Sequence, residues 1–207
     1  VNKNFLSRPR VQMLQNTYWH RAVALAPLLD TESRARLVGL VWDSVPEFQE
    51  TYLRLCAALA ELGHATEANC PIEALIPRAN SIIDVARLQG LGETPADMLQ
   101  ITTPQGRAAL LPRAVVTALT AEITVYMSEK PDDFFDHTDL LDFPGYRARY
   151  KFTDLRAALD SRKDMLKDLF LRGKVAYLFE RYREEKELTS MLLCIGPSTQ
   201  EVQDLPQ

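Results

Sequence analysis

The residues with the most chemical promise lie in one run, Asp139-Leu140-Leu141-Asp142-Phe143-Pro144-Gly145-Tyr146-Arg147. A short apolar stretch ends in an aspartate, and Pro-Gly then forces a sharp turn. A buried parallel strand delivers a carboxylate to the carboxyl edge of a sheet in this way, and open α/β folds bind their ligands there. Asp142 in that position can hold Mg²⁺ through water, and Gly145 lets a backbone N–H approach a phosphate. Arg147 and Arg149 follow closely enough to meet a phosphate oxygen. The competing reading is a strand that ends in a solvated aspartate with a structural Pro-Gly turn, and the pattern by itself leaves both open.

P-loop nucleotide hydrolases place an aspartate and a glycine at this spacing beside the γ-phosphate. The chain holds no G-x-x-x-x-G-K-[ST] phosphate cradle and no Asn-Lys-x-Asp for guanine. Gly173-Lys174 is the nearest approach to a cradle, but Val175 follows it and Asp168 stands where the first glycine belongs. Tyr146 occupies the place where many GTPases carry the glutamine that orients water. The polypeptide alone is therefore expected to bind no nucleotide. The chain starts at Val1 without an initiator methionine, so it reads as a fragment or a processed product. The cradle is expected upstream of Val1 and the base-recognition loop downstream of Gln207.

Asp132, Asp133, Asp136, His137, Asp139 and Asp142 form an acidic cluster with one histidine. A metal-dependent phosphoesterase could use such groups. Strand alternation would scatter them, however, and a solvated acidic turn accounts for them. His20 and His64 have no partners at ligand or triad spacing, and no Ser-His-Asp or Cys-His arrangement stands out.

The elements that must position these groups follow from hydrophobic periodicity. Val11, Leu14, Tyr18, Ala22, Leu25 and Leu29 predict a helix. Thr31 is expected to cap a second helix through Leu37, Leu40 and Val41. Ser44-Val45-Pro46-Glu47 reads as a capping box ahead of a third helix, which carries Phe48, Tyr52, Leu55, Cys56, Leu59 and Leu62 and ends at Gly63. Pro71 and Pro77 interrupt residues 64–80, where a short helical turn fits. The period then changes: residues 98–102 and 107–111 flank Thr103-Pro104-Gln105-Gly106 as a hairpin. Pro112 opens a short helix through Leu119. Alternation from Ala121 to Ser128 reads as a strand, with a helix through Glu122 as its rival. Pro131-Asp132-Asp133 turns the chain back into a second strand from Phe134 to Phe143. Thr153 or Asp154 caps a helix that Gly173 interrupts and that continues to Tyr182. Met191-Leu192-Leu193-Cys194-Ile195-Gly196 forms the last strand and completes a parallel βαβ unit.

The expected fold class is α/β. A mostly helical lobe spans residues 1 to about 95. Residues 96–196 form a GTPase-like segment of a P-loop-type sheet without its phosphate-binding loop, in which an antiparallel strand pair leads into the parallel unit. Residues 197–207 are a tail.

A formal charge of -4 and a pI near 5.5 argue against a nucleic-acid partner. No apolar run reaches the length of a bilayer span. The three cysteines, Cys56, Cys70 and Cys194, are too few and too scattered for a disulfide framework and read as reduced thiols.

The segments DLLDFPGYRAR, LFLRGKVAYLFERY and ELTSMLLCIG, with SIIDVARLQGL and LPRAVVTALTAEITV upstream, resemble bacterial virulence factors of the SrfC type. The resemblance covers roughly residues 80–196, and less distinctly the N-terminal helices. It implies a large multidomain protein with a dynamin-like or GTPase-like P-loop region. In such a protein Asp142 lies on the Mg²⁺ side of the nucleotide and Gly145 on the γ-phosphate side, with Arg147 nearby. Mg²⁺ and GTP or ATP are implied as cofactors of the full-length protein and none for this chain alone. The implied setting is the bacterial cytoplasm or export to a host, with protein partners. The alternative is a non-catalytic interaction module or scaffold, in which helices over residues 11–62 dock a partner.

Overall fold

The structure, a computed structural model, describes residues 12–76, 78–92, 97–126, 128–138, 155–161 and 164–188. The chain divides after Leu119 into two units.

In the first unit a π-helical turn, Leu14–Tyr18, leads into α1 (Trp19–Leu25) and a 3-10 turn, Ala26–Leu28. Helix α2 spans Thr31–Gly39 and α3 spans Pro46–Glu61. The cap of α2 is Asp30 rather than Thr31. Its carboxylate accepts from the Ser33 N–H at 2.7 Å and from the Ser33 hydroxyl at 3.0 Å, and Thr31 becomes the first helical residue. The expected capping box at Ser44 does not form. Ser44 has φ of 52° and spends its N–H on the Gly39 carbonyl at 2.8 Å, which closes the preceding helix. Val45 is then the residue before α3, and Pro46 opens it, as a residue without an N–H can at a helix start.

The end of α3 is as expected. Gly63 takes φ of 65° and donates to the Ala60 carbonyl at 3.0 Å, while His64 donates to Leu59 at 2.7 Å. This is a Schellman closure, which needs a residue that tolerates the left-handed region.

Two long side chains join the helices. Arg34 of α2 donates to the carbonyls of Ala26 at 2.9 Å and Leu29 at 2.8 Å, and Tyr18 Oη donates to the Leu37 carbonyl at 2.5 Å. These bonds tie the side chains to carbonyls near the helix ends, and those of Ala26 and Leu37 also accept backbone N–H groups.

Residues 64–92 carry three 3-10 segments, Ile72–Ala74, Arg78–Asn80 and Val85–Gly92. The expected hairpin follows, with its second strand starting one residue later than the expected 107–111. Strands β1 (Met98–Thr102) and β2 (Ala108–Pro112) pair antiparallel, Leu99 opposite Leu111 and Ile101 opposite Ala109. Those four side chains are buried, and the alternate residues face outward, as a sheet with one covered face requires. Gly106, at φ of 82°, donates to the Thr103 carbonyl and closes the turn. Asn69 exchanges two backbone hydrogen bonds with Thr102 along the outer edge of β1. Helix α4 (Arg113–Leu119) follows β2 without a loop. It packs on the Val85–Gly92 turn, where Leu88, Leu91 and Val115 are nearly fully buried. Each such side chain contributes about 1.5–3 kcal/mol on burial.

Arg113 holds the junction of these pieces. It is only 8% exposed. Its Nε donates to Asp97 Oδ2 at 2.7 Å, and its Nη1 donates to the carbonyls of Asn80 at 2.8 Å and Glu73 at 3.1 Å. Its own N–H donates to the Asp97 carbonyl at 2.8 Å.

The second unit departs further from expectation. Residues 121–126 are irregular rather than a strand. Val125 and Tyr126 are exposed, so the alternation has no surface to bury against, and alternation without a covered face does not hold a strand. Where the strand from Phe134 is expected to begin, Asp133–Asp136 form a 3-10 turn, capped by the Asp132 carboxylate, which accepts from the Phe134 N–H at 2.8 Å. The helical stretch is divided into α5 (Leu155–Ser161) and α6 (Met165–Glu184). Gly173 does not interrupt α6, which runs through it for a further eleven residues to Glu184. The strands expected at 139–143 and 191–196, and the caps expected at Thr153 or Asp154, lie outside the described residues. Among the described residues the sheet is the two-stranded antiparallel hairpin, and the parallel βαβ unit is not part of it.

Two predictions follow from local geometry. Arg113→Met leaves two carbonyls and Asp97 without their donor and should lower stability by about 2–3 kcal/mol. Asp97→Asn, at a half-exposed carboxylate, should cost less. Urea unfolding followed by helical circular dichroism measures both, and a loss for Arg113→Met of under about 0.5 kcal/mol, no more than an ordinary surface change, would remove Arg113 from its central place. In α6 the conformational preferences are inverted, with Gly173 in mid-helix in open space and Lys186 just past the end at φ of 60°. Gly173→Ala and Lys186→Gly should therefore each raise the melting midpoint, by the equivalent of about 0.5–1 kcal/mol.

Candidate functional site

The sequence concentrates its candidate chemistry in Asp142, Gly145 and Arg147. All three lie outside the described residues, as do Tyr146 and Arg149. The described part of the acidic cluster can be followed atom by atom. Asp132 caps the 3-10 turn, and Asp133 and Asp136 both bind Lys130 Nζ at 2.7 Å. Those two hydrogen bonds raise the Lys130 pKa above its ordinary value. The carboxylates thus serve a local turn and a solvated ion pair. Among the described residues no group of three His, Cys, Asp or Glu side chains could hold a metal ion. His64 stands exposed at φ of 56°, just beyond the closure of α3, and His20 is exposed on α1.

Gly173 and Lys174 sit inside α6, not in a loop at a helix start. A phosphate cradle needs free N–H groups at a helix N-terminus, whereas the N–H groups here lie inside a helical ladder. Lys174 is partly buried, and desolvation lowers its pKa to about 8.

Sequence reasoning passed over a second cluster, which α6 organises. Tyr182 is buried and its hydroxyl donates to Glu122 Oε1. Burial first, and then that hydrogen bond to a carboxylate, push the Tyr182 pKa up to about 12. Arg181 Nε lies 3.3 Å from Glu185 Oε1, and its Nη2 lies 3.7 Å from Glu122 Oε1. Tyr177, Glu180, Arg181, Glu184 and Glu185 line a shallow groove along the same helix. Arg181 is the cation among these lining residues and is paired with Glu185 and Glu122, so the groove offers a charged surface with no free cation among them to fix an anion. The helical period that brings Tyr182 inward was legible, since Leu171, Leu178 and Tyr182 fall on one face. Glu122 was not, because nothing local marks a residue 60 positions away as its partner.

The two groups with the largest shifts, Lys174 and Tyr182, set a pH profile for the second unit. Lys174 is depressed when folded, so its contribution is present above the unfolded value of 10.5 and is lost as pH falls through about 8. Tyr182 is raised, so its contribution is present below 10.0 and is lost as pH rises through about 12. Stability should rise from about pH 8, reach a maximum near about pH 10 and then fall. Lys174→Met should flatten the rising limb and Tyr182→Phe the falling one. Thermal midpoints recorded across this range test both, and limbs unchanged in the variants would refute the assignment.

Among the described residues no helix is long and apolar enough to cross a membrane. Neither a curated protein nor a solved structure was found to match the chain. A family model described as "Putative bacterial virulence factor" matches residues 1–207, the full length of the sequence. By that match the chain belongs to this family of bacterial virulence factors.

Proposed function

We propose that this chain supplies the Mg²⁺ side of a nucleotide-hydrolase site in a virulence factor of the SrfC type. One observation carries the reading: Leu140-Leu141-Asp142-Phe143-Pro144-Gly145, an apolar run that ends in a carboxylate and a Pro-Gly turn. Helices α5 and α6 follow it in the chain, which supports the order expected of such a site. Asp142 would order a water of the metal, the Gly145 N–H would donate to the γ-phosphate, and Arg147 would meet a phosphate oxygen. Bound Mg²⁺ supplies neutralisation of the charge that builds on the phosphate oxygens. These 207 residues hold no phosphate cradle, so on this reading other residues supply it and GTP or ATP binds to the protein as encoded in the bacterium. Fluorescent GTP and ATP titrated into that protein should bind in a Mg²⁺-dependent manner, and Asp142→Ala should weaken binding at least about tenfold, the loss of one charged contact. Equal affinity with and without Mg²⁺, or no effect of Asp142→Ala, would overturn the reading.

A different observation favours a second reading, a protein-docking role for the N-terminal helices. Val23 is 70% exposed and Leu28 is 81% exposed, with Met13 and Leu25 also open on the same short stretch. Large apolar side chains grouped in this way mark surfaces that another protein covers. A photo-crosslinking amino acid at Leu28, introduced in the living bacterium, should trap one discrete adduct. The same probe at exposed Glu61 should trap none. Identical patterns from both positions would count against docking, whatever the nucleotide titration shows.

A further inference from the structure

We draw no further inference here: the strongest candidate, the outer edge and open face of β2 around Ala108 and the exposed Leu110, is an unpartnered apolar strand with nothing in the structure to show what covers it.

Discussion

The first unit depends on the buried guanidinium of Arg113. A cation out of water is costly unless every donor is used, and here the donors reach three separate pieces of chain. Asp97 precedes β1, Glu73 ends its carbonyl on one 3-10 turn, and Asn80 does so on the next. These turns have few internal hydrogen bonds, so a side chain that gathers their carbonyls replaces what a regular helix would have provided. The hairpin register follows from the same place. The Arg113 N–H bonds to Asp97, which closes the ladder one step beyond Met98 and Pro112.

The helical part uses the same economy with different residues. Arg34 takes the carbonyls where α1 and its 3-10 turn run out, and Asp30 takes an N–H where α2 begins. Gly63 closes α3 in a conformation that a side chain would strain, beside the Arg107 guanidinium. Helix ends are where backbone groups lose their partners, and each of these residues meets that need. In the second unit the acidic residues of 132–136 are likewise consumed by a turn and by Lys130.

Family membership rests on the whole sequence, whereas the hydrolase reading rests on a few residues of it. Asp142 and Gly145 belong to a pattern that many chains contain by chance, and its value comes from the elements around it. Two helices, α5 and α6, follow it in the chain. The residues that should precede it as an antiparallel strand, from Ala121 onward, are irregular where described, and a 3-10 turn occupies 133–136.

The sequence by itself determined the local elements whose signals are local. Alternating Leu99, Ile101, Ala109 and Leu111 around a Thr-Pro-Gln-Gly turn dictated the hairpin, Pro112 announced α4, and Gly63 ended α3. Adjacent polar residues competed for the caps at Asp30 and Ser44, and backbone geometry settled each choice: Asp30 reaches Ser33, while Ser44 turns left-handed to close the helix before it. Only tertiary structure decided which polar groups are buried. Arg113 gathers carbonyls 33 and 40 residues away, and Tyr182 finds Glu122 at a separation of 60. Such partners are chosen by the free-energy cost of leaving a buried donor unsatisfied, and that cost exists only once packing has removed the water. The alternation at 121–126 failed for the converse reason: a strand pattern specifies a strand only where a second surface is present to cover one face.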